Sequence, residues 1–477
     1  MSRTDSRMNA RAWGVLLVLS GAIFLEGIDV AMLNVALPAI RDDLGLSTGT
    51  LSGVVSAYVL GYGGFMLLGG RAADLLGHRR MFLLWLTVFL VFSGLGGFAT
   101  EGWMLLAARF VTGVAAAFMA PAGLALITGN FPEGPRRNRA LGVYAGTAAG
   151  GFSLGLVAGG ILASAGWRWV FFAPVLLAAI ILAAAIPLLR DEKRPARRPQ
   201  GFDLTGAASI TAAMLLLVYG VVRLEHGTDG LRVTLTVLAA GFALLAVFLR
   251  IERRSPSPLV RLGILRTPGL ARVNAGALLF MVAFAGFQFV VTLYLQELRG
   301  WSPLQTGLAM LVVGLDTILA PTLTPRLVNR FGTTRVLFGG ILAAVLAYAL
   351  FLPVTADWTY AAMLPSMLLL GVAFSLAYGP LTTAATDGVG EHEHGLAGGL
   401  LYTSIQFGTA LGVSAVTALT AAGLQPGATG LTIEAIRSGL ALPAAAAILA
   451  AIVTAFGLRR RPTPAEAPAP AAAPATA

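Results

Sequence analysis

The chain has 477 residues, of which 57% are hydrophobic and 12% charged, and it contains no cysteine. So little charge cannot cover the surface of a water-soluble protein of this size, which excludes the ordinary soluble folds. The missing cysteines exclude disulfides, thiol catalysis and cysteine–zinc sites.

Apolar runs recur along the whole length, each near the roughly 20 residues that cross about 30 Å of hydrocarbon as a helix. In chain order they lie at 13–38, 49–70, 81–100, 103–128, 139–163, 168–189, 203–222, 231–250, 271–295, 304–325, 335–354, 359–380, 395–422 and 437–458. They predict an all-α membrane protein with fourteen transmembrane helices. Barrel strands are about half as long and alternate in character, so a β-barrel does not fit. The polar opening MSRTDSRMNAR resembles the start of a signal peptide. The apolar run that follows is too long for a signal core and has no small-x-small cleavage site, so it is expected to stay as the first span. The stretch 190–200, RDEKRPARRPQ, reads as a linker, and 459–477, rich in proline and alanine, as a disordered tail.

The formal net charge is +11, and its placement sets an orientation. With the N-terminus on the cytoplasmic side, 26 of the 33 basic residues fall in cytoplasmic segments, six fall on the other face, and Arg109 lies within a span. That asymmetry follows the positive-inside rule and puts both termini in the cytoplasm. No segment concentrates the charge among aromatics, which argues against nucleic acid as a partner.

Two cytoplasmic connections repeat. GRAADLLGHRR at 70–80 aligns with PRLVNRFGTTR at 325–335, matching Arg71 with Arg326, Gly77 with Gly332 and Arg80 with Arg335. The offset is eight spans, so two parallel six-helix halves are expected with two extra spans between them, an arrangement used by transporters with a central site.

These residues carry a family resemblance. Asp29-x-x-x-x-Asn34-Val35-Ala36-Leu37-Pro38 is similar to the first-helix motif of the fourteen-span drug:proton antiporters of the major facilitator superfamily. Gly70-x-x-x-Asp74-x-x-Gly77-x-Arg79-Arg80 resembles the superfamily's cytoplasmic loop motif, and Arg109-x-x-x-Gly113 its fourth-helix motif. The glycines Gly151, Gly155, Gly159 and Gly160 resemble the antiporter motif of the fifth helix, with Leu156 where that motif carries proline. Trp167-Arg168-Trp169-x-Phe171 is similar to the usual opening of the sixth helix. The resemblance implies a major facilitator fold with an N-terminal bundle over 1–189, a linker with two additional helices over 190–270, and a C-terminal bundle over 271–458. It also implies exchange of a small hydrophobic or cationic substrate for protons, without a cofactor or metal, by a monomer in a bacterial-type inner membrane.

Glu26 and Asp29 are the main chemical candidates. Three residues apart, they share one helix face, and an acid at membrane depth is costly unless it is neutral, paired or in a wet cavity. Two near-neighbour carboxylates repel, which favours one of them holding a proton. A group that gains and loses a proton is what proton coupling needs, and its anion attracts a cation. The resemblance adds a proton-relay role for Arg109. Asp316, midway along 304–325, is a candidate as an unmatched intramembrane acid. Asp74, Arg79 and Arg80 are expected to latch the cytoplasmic side, whereas the glycine stripe is explained by close helix packing alone. Tyr58, Tyr62, Gln288 and Gln406 are further candidates for a cavity lining. EHEH at 391–394 lacks a supporting cluster for metal. HExxH and P-loop patterns are absent, as are paired catalytic acids at the helix ends, which argues against an intramembrane enzyme and an ATP-driven pump. Scattered charges argue against a channel. Export of one specific metabolite, such as an endogenous antibiotic, amino acid or siderophore, remains the alternative to multidrug efflux.

Overall fold

The computed structural model describes residues 8–131, 135–190, 204–223, 230–255, 263, 268–386, 394–424 and 430–458. The expected linker at 190–200, apart from Arg190, and the tail at 459–477 lie outside the described residues. The helices are α1 (Ala10–Leu44), α2 (Thr48–Leu76), α3 (His78–Gly97), α4 (Gly102–Asn130), α5 (Pro135–Ala165), α6 (Trp169–Leu188), α7 (Leu204–Val222) and α8 (Leu231–Glu252). They continue with α9 (Pro268–Leu293), α10 (Pro303–Met310), α11 (Asp316–Phe331), α12 (Thr333–Phe351), α13 (Tyr360–Thr386), α14 (His394–Ala422) and α15 (Ile433–Leu458). The expected spans lie largely on helix, though not as fourteen helices of membrane-crossing length. Among the described residues, 11 helices are long and apolar enough to cross a membrane, and 208–217 and 303–315 are shorter apolar helices. Side chains such as Phe98, Trp103, Ile180, Phe242 and Phe456 are exposed, as a lipid-facing surface requires.

Side chains on the page explain where helices begin. The Asn9 side chain accepts a hydrogen bond from the Ala12 amide at 2.8 Å, and the Ser47 hydroxyl accepts one from Thr50 at 3.1 Å. Ser302 and Gln305 form a reciprocal capping box ahead of α10, with Pro303 in the first turn.

The two repeated connections have the same backbone. Gly77 joins α2 to α3 at φ 100°, ψ 127°, and Gly332 joins α11 to α12 at φ 84°, ψ 154°. Each donates its amide to the carbonyl four residues back, Ala73 or Val328, at 3.0 and 2.8 Å. A side chain is strained in that region of backbone space, which is why both matched positions are glycine.

The expected tenth span is not one regular helix. A 3₁₀ turn over Leu311–Leu315 separates α10 from α11. The tighter turn brings Gly314 against α5, where the Ser153 hydroxyl donates to its carbonyl at 3.3 Å. At the end of α9, Tyr294–Leu298 widens into a π-helix, which turns Gln296 and Glu297 toward α1.

Packing sorts the helices. α1 runs along α5 and α6, while α2 and α3 flank α4. α9 runs along α14 and α15, and α12 along α13 and α15. The two groups meet where α5 touches α10 and α11 and where α2 touches α14. α7 packs on α8, α2 and α14. Only 17% of the apolar window of α8 is buried, against 78% for the helix that includes α9, so α8 is peripheral and α9 central.

Candidate functional site

α1 sets the site because it is pressed against α5. A Cβ on Gly27 would lie 2.9 Å from the Ala148 carbonyl oxygen, and Gly151, Gly155 and Gly159 lie against Phe24, Ile28 and Met32 backbone in the same way. This stripe lets the backbones approach and turns Glu26 and Asp29 inward. Both acids are buried, at 8% and 2% exposure.

The structure gives the two acids different surroundings. Asp29 accepts a hydrogen bond on Oδ2 from Arg109 Nη1 at 2.6 Å, and both side chains are almost fully buried. The Arg109 guanidinium also lies over the Tyr58 ring, 4.5 Å from its centre. Asp29 is therefore one half of an ion pair between α1 and α4 and not an open carboxylate. Glu26 has no such counter-ion: among the described residues its Oε2 has no hydrogen-bond partner. The Tyr62 phenol faces it within electrostatic reach, but without the alignment of a hydrogen bond. Tyr58, Tyr144, Tyr378 and Tyr402 also lie within reach of its charge. These phenols come from α2, α5, α13 and α14, so the surround of Glu26 draws on both groups of helices. The void beside Glu26, bounded by Phe82, Met119 and Tyr144, is too narrow to hold a water molecule.

An aromatic ladder leads away from the phenols. Tyr378 stacks on Phe374 at 5.1 Å between ring centres, Phe374 meets Phe284 at 4.5 Å, and Phe284 lies 6.3 Å from Phe152 of α5. Carbon-rich walls with a few polar groups are the usual make-up of a small-molecule site.

The other sequence candidates are dispersed. Asp316 is buried at 6% exposure and opens α11 directly after the 3₁₀ turn, where an acid suits the helix N-terminus. Arg79 donates to the Leu189 carbonyl at 2.7 Å and the Ile186 carbonyl at 3.0 Å, capping the end of α6. Arg80 is exposed, and the side chain of Asp74 lies outside the described residues. Gly70 faces Pro121 of α4 at 3.9 Å. Gly160 points away from α1 and touches Leu304 backbone at the start of α10, so α5 uses its glycines toward both groups. Gln288 is buried, and Gly63 of α2 approaches Gln406. Residues 391–393 and the side chain of His394 lie outside the described residues.

The end of the molecule carrying Arg41 is closed. Arg41 Nη1 lies 2.7 and 2.8 Å from the two oxygens of Glu297, and Gln296 donates to the Val35 carbonyl at 2.9 Å. Nearby, Asp43 accepts from the Trp167 indole and from Arg168, each at 2.9 Å. Those two donors hold its carboxyl below the usual carboxylate range.

Sequence reasoning did not single out Tyr144, Tyr378, Tyr402 or the Arg41–Glu297 pair. The signal for the phenols was their rarity: the chain has 9 tyrosines, and five of them lie within electrostatic reach of Glu26. No local pattern marks the ion pair, whose partners are 256 residues apart.

Comparison with known proteins supplies the context. A family model described as Major Facilitator Superfamily matches residues 19–413. A puromycin resistance protein of Streptomyces alboniger is 36% identical over 416 residues, covering 85% of this chain and 81% of that protein. A cephamycin export protein of Amycolatopsis lactamdurans is 35% identical over 421 residues, covering 86% of this chain and 85% of that protein. The crystal structure of a POT family transporter in complex with 5-aminolevulinic acid shares the fold, with a TM-score of 0.70 at 15% identity, covering 94% of this chain and 95% of that one.

Proposed function

Since the chain belongs to the Major Facilitator Superfamily, a family of multi-pass membrane transporters of small molecules, we propose that it is a fourteen-span efflux protein that exchanges a hydrophobic or cationic drug for protons. The single observation that carries this reading is Glu26: a buried carboxyl with one unpartnered oxygen, within electrostatic reach of phenols from both groups of helices. A carboxyl in that setting is stable when neutral or when paired with a cation, so a proton and a cationic drug compete for it. The tyrosines and the Phe284–Phe374 ladder offer faces to the drug's apolar part. Asp29 and Arg109 hold α1 and α4 in register beside that carboxyl. They relay its proton when the pair separates.

Alternating access then rocks an N-terminal bundle (1–189) against a C-terminal bundle (271–458), with α7 and α8 in the intervening 190–270. The arginine distribution supports a bacterial inner membrane location with both termini cytoplasmic. A monomer suffices, because both groups of helices meet around Glu26.

The test is drug-driven proton movement in inverted vesicles, together with a drug-susceptibility panel, for the protein, Glu26→Gln and Asp29→Asn. Glu26→Gln is expected to abolish proton exchange with cationic drugs in a folded protein, and Asp29→Asn to weaken it through the displaced Arg109. A Glu26→Gln protein that exchanges protons like the original refutes the assignment. A second reading, export of one antibiotic, is favoured by the cephamycin export relative. It predicts protection against a single compound across the panel.

A further inference from the structure

We infer that the cavity walled by α7, α9 and α14 is a binding site for one acyl chain of a membrane lipid. The cavity has a volume of about 310 Å³ and is lined by Met214 and Leu217 from α7, Leu270 and Leu278 from α9, and Leu400 and Phe407 from α14. It is separate from the surround of Glu26, and the inference does not depend on drug or proton exchange.

The chemistry of the wall selects the occupant. Three polar side chains line it, and each is already engaged by the protein. Ser404 donates to Asn274 Oδ1 at 2.9 Å and has the Leu400 carbonyl at 3.0 Å, while Asn274 Nδ2 donates to the Leu270 carbonyl at 2.8 Å. Thr403 donates to the Gly399 carbonyl at 2.8 Å. An occupant therefore meets mainly carbon. Water needs two to four polar partners and is not stabilised there. A dry void is costly in proportion to its volume, so an apolar filling is favoured over an empty one. A charged or strongly hydrogen-bonding cargo would give up its hydration for a wall that offers it few polar partners.

Position selects the source. Ala271, on the wall, is exposed, and α7 lies beside the peripheral α8. Val233, Leu235, Phe242 and Val247 of α8 are exposed apolar side chains that face hydrocarbon. The nearest abundant molecule without polar demands is the tail of a bilayer lipid. Seated there, the tail wedges α7 against α9 and α14, while the same α7 rests on α2 of the other group, with Leu215 packed against Gly64.

The test uses the full chain in nanodiscs of phosphatidylethanolamine and phosphatidylglycerol, doped with a phospholipid that carries a diazirine on one acyl chain. After photolysis, peptides are mapped for adducts. Adducts on 214–217, 270–278 and 400–407 are expected to saturate as the doped fraction rises, as occupancy of a site does. Adducts on Phe242 and Val247 are expected to rise in proportion, as for bulk lipid. Ala271→Trp, placed at an exposed position of the wall, is expected to lose most of the saturating adducts and keep those on α8, while an unchanged melting temperature shows that the variant is folded. Pocket adducts that track the α8 adducts without saturating overturn the site, as does a pattern unmoved by Ala271→Trp. Displacement of the pocket adducts by tetraphenylphosphonium overturns the lipid as occupant in favour of cargo.

Discussion

At the scale of single residues, Asp29 and Arg109 show what charge costs in a membrane. Neither is tolerable alone at that depth, and together they form a 2.6 Å contact shielded from solvent. Removing one partner strands the other. Asp29→Ala and Arg109→Ala are each expected to lower stability by about 3 kcal/mol. The double variant should lose less than the sum, because the stranded charge is gone. Thermal melting of the purified protein in detergent checks this, and additive losses would show that the pair is not coupled. Both residues were legible in the sequence as isolated charges in apolar runs. Their pairing was not, because it is made by packing α1 beside α4, with partners 80 residues apart. The contrast between Asp29 and Glu26 was likewise unreadable: two acids three residues apart look alike until the neighbouring helices are placed.

At the scale of elements, α5 illustrates how side-chain size sets geometry. Its glycines at 151, 155 and 159 hold α1 at backbone contact, and a Cβ at Gly155 would sit 2.7 Å from that of Ala31. Gly155→Leu is expected to force the helices apart and cost about 2 kcal/mol or more. Gly146→Ala, where nothing lies within 4 Å, is expected to be neutral. Melting temperatures of the two variants decide it, and equal values would mean that α1 and α5 are not tightly packed. Helix positions were readable because length and apolarity alone determine them. The 3₁₀ turn at 311–315 and the π-helix at 294–298 were not. They answer to contacts across the molecule, with Ser153 in one case and with Val35 and Arg41 in the other.

At the scale of the whole molecule, the structure is closed at the end where Arg41 meets Glu297. That contact, one Arg41 nitrogen shared by both Glu297 oxygens, spans the two groups of helices and must break if this end opens. Arg41→Glu places two like charges together and is expected to shift the population toward opening at this end. Adding Glu297→Arg is expected to restore closure by reversing the pair. Distances between spin labels on α1 and α10 report the change, and an unaltered distribution in Arg41→Glu would show that the pair does not hold the end shut. The repeat at Gly77 and Gly332 was visible in the sequence because an unusual backbone demands glycine wherever it occurs. The way the halves meet was not visible, since it rests on long-range pairs.

The placement of α7 has a mechanical corollary. It bears on α2 and α14 at once, whereas among the described residues neither α7 nor α8 packs across α5 and α10 in the same manner. One flank of the protein is thus splinted and the other is not. If the two groups of helices rotate against each other, α7 must either travel with one of them or slip over the other, which would make the pivot lopsided.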